Sequence, residues 1–137
     1  MEILLLVLSL LGDSAPRCTI QLVSPKELQH IGLGGMATNF QNPDHAGSVF
    51  NGEIYLSSNS TVYKRARRGD HDSLVMLASL IKHEEAHLLL GNCELLPYQI
   101  QLLAYDNLGG KDNAYRKAIL SQIQYSEKYP CKDEASR

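Results

Sequence analysis

The chain has 137 residues, 44% of them hydrophobic, and a formal net charge of −2. That length permits one domain with a real core and little more. A charge so near zero leaves no electrostatic footprint for a nucleic-acid binder, and no repeat, low-complexity tract or linker divides the sequence.

Ile3 to Leu11 is almost wholly apolar and runs into Gly12-Asp13-Ser14-Ala15-Pro16. An apolar stretch followed by small residues has the form of a signal peptide, although Met1-Glu2 supplies no positive side chain. The stretch is short for a bilayer span. Residues 1–15 are thus expected to direct export to a periplasmic or secreted location, leaving a mature domain 16–137. The alternative is a cytoplasmic protein that keeps them as a helix packed on the domain. Membrane contact is expected only through an uncleaved N-terminal segment.

Thr19 to Val23 alternates as a short strand, and Ser24-Pro25-Lys26-Glu27 forms a capping box with proline at the first helical position. The short helix it starts ends before Gly32. Leu33-Gly34-Gly35 and Gln41-Asn42-Pro43-Asp44-His45 read as loops. Gly47–Phe50 and Glu53–Ser57 flank Asn51-Gly52, a strong hairpin signal because both central positions need positive φ. Ile54 and Leu56 then share one face and Tyr55 takes the other. Asn59-Ser60-Thr61 is a glycosylation sequon, relevant only in a eukaryotic secretory pathway. Lys64-Arg65-Ala66-Arg67-Arg68 is a basic cluster without interleaved aromatics and reads as a solvated loop, with acidic substrates or lipid headgroups as lesser alternatives.

From Leu74 to Leu90 no residue breaks a helix, Asp70 to Ser73 offers caps, and Gly91 ends the run. This helix carries His83-Glu84-Glu85-Ala86-His87. Residues four apart stack on one face, so His83 and His87 are spaced to chelate one tetrahedral ion. Glu84 sits about 100° round the helix from His83, off the ligand face yet within reach of a water that the metal activates. Leu74, Ala78 and Ile81 share another face, while Met76 and Leu80 lie on the stripe leading to the histidines. The competing reading is a buried helix that merely carries two histidines and a Glu-Glu pair.

Gly91 can turn the chain back, and Glu94 follows three residues later as the preferred third ligand. Asp106 is the other acidic candidate, but aspartate is short and placed near the end of its helix. Leu95 to Leu108 reads as a helix with Pro97 in its first turn and Gly109-Gly110 as its stop. Asp112 to about Lys128 reads as another, and the short connection implies an antiparallel hairpin. Such a hairpin brings Cys93 and Cys131 to one end, where a disulfide is reasonable. Cys18 is left over, and three reduced thiols are the alternative. His30, His45 and His71 each stand alone and read as solvated.

With these residues in view, HEEAHLLLGNCELLPYQIQLLAYDNL resembles the zincin metallopeptidases, specifically the small gluzincin type, over about residues 46–108. The resemblance implies an α+β zincin-like fold: a small β-hairpin or sheet packed on a buried H-E-x-x-H helix, followed by the helical hairpin. It also implies Zn2+ held by His83, His87 and Glu94, with Glu84 as general base. The hairpin strand before the helix then pairs with an extended peptide, an ordinary surface hairpin being the alternative, and Tyr98 and Tyr55 are candidates to hold the oxyanion. The expected function is hydrolysis of a peptide or protein substrate. Two rivals stand beside it. One is a catalytically silent zinc-binding domain whose fourth position is closed, for instance by Cys93; the other is a hydrolase of non-peptide amides.

Overall fold

A computed structural model describes residues 2–131. Its sheet is built from the strands the alternating patterns predict: β1 (Ile20–Val23), β2 (Gly47–Phe50) and β3 (Glu53–Ser57). The order is β1-β3-β2, with β1 parallel to β3 and β2 antiparallel to it. Asn51 (φ 52°) and Gly52 (φ 79°) make the tight turn between β2 and β3. Among the described residues β2 therefore pairs on one side only, and its other edge is open.

Alternation sorts the sheet into two faces. Ile54 and Leu56 point to the larger core, with Ala78 and Ile81 of the helix α5 (His71–Leu90). Tyr55 and Val23 point the other way, onto Leu28 of α2 (Pro25–His30) and Ala37 and Phe40 of α3 (Gly34–Phe40). The capping box at Ser24 and Glu27 is formed from both directions. A loop was expected at Gly34-Gly35, but α3 forms there. Two glycines cost helix propensity, and burial of Ala37 and Phe40, three residues apart, offsets that loss.

The basic cluster is not a loop either. It lies on α4 (Thr61–Arg67), capped by the Ser60 hydroxyl, which accepts from the Tyr63 N–H. Tyr63 and Ala66 are buried three residues apart while Lys64, Arg65, Arg67 and Arg68 stay exposed, the pattern of an amphipathic helix. α5 then starts at His71, three residues earlier than the apolar run suggests, and packs on α4, on the sheet and on α1 (Glu2–Leu11). Val7 and Leu11 of α1 enter the larger core, and Lys82 Nζ donates to the Ser14 carbonyl at 2.7 Å. In the full chain α1 is thus a docked helix, and no described helix is long and apolar enough to cross a membrane.

α6 (Leu95–Asn107) and α7 (Ala114–Lys128) form a helical pair, with Asn113 rather than Asp112 capping the second. Cys93 and Cys131 are joined as a disulfide at the end of this pair, their Cα atoms 5.9 Å apart. Cys18 is free.

Candidate metal centre

α5 is buried on most sides, which brings His83 and Glu84 to 5% and 6% exposure in spite of their polarity. Buried polar groups persist only when something satisfies them. One turn on, His87 donates its Nδ1–H to the Gly91 carbonyl at 2.8 Å, which holds the ring and turns Nε2 toward His83. Gly91 has φ 96°, a backbone state that suits glycine, and it redirects the chain so that Glu94 faces back to the histidines.

Three donor atoms consequently meet. His83 Nε2 lies 3.2 Å from His87 Nε2 and 3.3 Å from Glu94 Oε1, and His87 Nε2 lies 2.5 Å from the same oxygen. Bonds of about 2.0–2.2 Å to a tetrahedral ion put neighbouring donors about 3.3 Å apart, so two of the three edges match. The third is shorter, at the distance of a hydrogen bond between imidazole and carboxylate. The Glu94 hydrogen bond pushes His87 up to about 9. Burial raises Glu94, but the bonds from His83 and His87 outweigh it and bring it down to about 2. Two imidazoles and a carboxylate are a donor set that zinc takes.

Glu84 is the neighbour to this triad. One of its carboxylate oxygens lies within 4.8 Å of ligand nitrogens on both histidines. Burial pushes its carboxyl above the ordinary range, opposed in part by the two histidines. The backbone of β2 passes directly over it: a Cβ on Gly47 would stand 3.1 Å from Glu84 Cγ and 3.2 Å from Oε2. A side chain here would crowd Glu84 and push it aside by a few tenths of an ångström.

Around the triad lies a cleft of about 870 Å³. One stripe of α5 lines it, Ser73, Met76, Leu80, His83, Glu84 and His87, and it also touches the stretch from Pro43 to Val49, α4, α6 and α7. Among the described residues, three buried side-chain polar atoms lack a partner: His45 Nε2, His83 Nδ1 and Gln101 Oε1. All three residues line this cleft. His45, read from sequence as solvated, is instead half-buried beside the Phe40 ring, and burial pushes its pKa down. Gln101 Nε2 donates to the Tyr115 hydroxyl at 2.8 Å, and that hydroxyl donates to the Met76 carbonyl at 3.2 Å. Only its position just before β2 could have marked His45 in advance; Gln101 carried no sequence signal.

The other sequence candidates separate clearly. Asp106 forms two bonds to Arg116, at 2.9 and 3.0 Å, and is absent from the triad. Tyr55 lies on the far face of the sheet with its hydroxyl donating to Glu53, so it does not join the site. Tyr98 lines the cleft with its ring edge-on to His83, centroids 4.5 Å apart. Burial, then the charges of Glu94 and Glu84, push its phenol up, which keeps the O–H as a donor at neutral pH. Cys93 is committed to the disulfide and offers no fourth ligand. His30 and His71 are exposed. Compared with known proteins, the chain matches no family model, no curated protein and no solved structure.

Proposed function

We propose that the protein is a zinc-dependent metallopeptidase of zincin-like type, with His83, His87 and Glu94 as ligands and Glu84 as general base. The observation that carries this reading is the convergence of three donor atoms inside a cleft, beside a buried carboxylate of raised pKa. When bound, zinc supplies a Lewis acid that lowers the pKa of water and polarises the scissile carbonyl. Glu84 accepts the proton of the attacking water at its carboxylate and returns it to the leaving amine. Its raised pKa makes it a better proton acceptor than an exposed glutamate. Tyr98 donates its O–H to the oxygen that gains charge. The open edge of β2, whose Gly47 touches Glu84, receives the substrate backbone as an added strand and sets the carbonyl beside the base.

A catalytically silent zinc domain needs a closed fourth position, and the disulfide takes Cys93 out of that role. The cleft supports a site that admits a substrate. Export fits the disulfide, which persists in oxidising compartments.

Replacing Glu84 with Gln separates these roles. The variant is expected to keep one zinc per chain and to lose about 10²–10⁴-fold in kcat on a peptide library. Undiminished turnover would remove Glu84 from the chemistry.

A further inference from the structure

The cleft is polarised along its length. The α5 stripe that lines it runs from His83 back to Ser73 at about 1.5 Å per residue, or about 15 Å in all. An extended chain covers that distance in four or five residues. At one end stand the triad and Glu84. Met76 and Leu80 make the middle apolar.

At the far end the cleft is lined by Arg65. Its main chain is fixed there, because the Arg65 carbonyl accepts the Asp70 N–H at 3.1 Å, immediately before α5 begins. Its side chain is exposed, and no carboxylate closes on it among the described residues. The nearby Asp70 carboxylate accepts from the Ser73 hydroxyl at 2.6 Å and feels the Arg65 charge, but forms no ion pair with it. Asp44, the remaining charged side chain of the lining, sits on the segment leading to β2. Arg67 and Arg68, from the same basic run, do not line the cleft.

We infer that Arg65 is the distal anchor of this groove and selects peptides carrying a carboxylate four or five residues from the bond at the metal. The inference rests on the peptidase reading for the position of that bond. A guanidinium with free donors and an apolar approach suits an acidic side chain or the α-carboxylate of a peptide end, because either accepts two parallel N–H bonds. From Gly47 beside Glu84 the cleft wall runs back through Ala46, His45 and Asp44 to Pro43, whose carbonyl accepts the Thr61 N–H at the start of α4, so a chain following this wall from Glu84 approaches Arg65.

Peptide hydroxamates test this without turnover, since the hydroxamate fixes one end of the ligand on zinc. Two series bear it at the N- or the C-terminal end, with a single Glu moved from the second to the sixth residue, and binding to the zinc-loaded full chain is measured by calorimetry. In one series affinity is expected to peak with Glu at the fourth or fifth residue and to fall about tenfold on replacing that Glu by Gln. Arg65→Gln abolishes the peak, Arg67→Gln leaves it, and Arg65→Glu moves the preference to a lysine. Five-residue ligands with a free or amidated C-terminus tell a chain-end carboxylate from a side chain. Affinity independent of Glu position, indifference to Arg65→Gln, or no hydroxamate binding overturns the inference. A clear Arg65-dependent peak with no hydrolysis of matching peptides would instead overturn the peptidase reading and leave the anchor standing.

Discussion

The Glu94 carboxylate favours the protonated form of His87, and a metal bound at that ring would have to displace the proton. The pKa of His87 is about 9 folded against an ordinary 6.5, raised by the Glu94 carboxylate. The stability this contact lends to the metal-free fold is fully present between about pH 4.5 and 6.5 and is lost as pH rises through about 9. The same contact depresses Glu94 to about 2, so its contribution also fades as pH falls from 4.5 toward that value. Zinc needs the neutral imidazole, and binding therefore releases protons below pH 9. Calorimetry in buffers of different ionisation enthalpy is expected to count about one proton released per zinc at pH 7.5, declining toward none by about pH 10. No release at pH 7.5 would mean that His87 is not a ligand. The spacing of His83, Glu84 and His87 was legible because helix geometry alone fixes it. The choice of Glu94 over Asp106 came from the turn at Gly91, and the structure supplies the other half of the reason: Asp106 is occupied by Arg116.

Among the elements, α5, the β2–β3 hairpin and the α6–α7 pair could be read from periodicity, caps and stop residues. α3 and α4 could not. The glycines at the start of α3 argue against a helix, and the buried pair Ala37 and Phe40 only acquires meaning once the sheet offers a second apolar face. In α4 three basic residues, with a fourth at its C-cap, obscure a stripe of two, Tyr63 and Ala66. The disulfide was legible because an antiparallel pair leaves its outer ends adjacent. It closes a loop across a sequence separation of 38, which constrains the unfolded chain by about 4 kcal/mol in the loop-entropy estimate. Cys131→Ser is expected to lower unfolding free energy by about 2–4 kcal/mol in urea titration. Zinc affinity should change little, since Glu94 is also held by α6 packing on α5. A loss of zinc without loss of stability would show instead that the disulfide positions the ligand.

Across the whole molecule, the cleft joins parts that no local pattern connects: the approach to β2, a basic helix, the α5 stripe and the last two helices. Sequence reading singled out His83, His87 and Glu94, which the fold brings together, but not the cleft, because its walls arise from tertiary packing. α1 lies against the larger core through Val7 and Leu11, and neither of these residues lines the cleft. Burying two such side chains contributes about 1.5–3 kcal/mol each. A chain starting at Ala15 is therefore expected to melt several degrees lower and to bind zinc as before, whether or not that chain is the exported form. Loss of zinc binding on this truncation would tie α1 to the site. The central claim is that one ion is gripped by His83, His87 and Glu94, and zinc content with affinity, measured on the full chain and on Glu94→Gln, tests it most directly. The full chain is expected to hold one zinc, and Glu94→Gln to bind it at least about tenfold more weakly while staying folded. A folded full chain that takes up no zinc, or a Glu94→Gln variant with unchanged affinity, would contradict it.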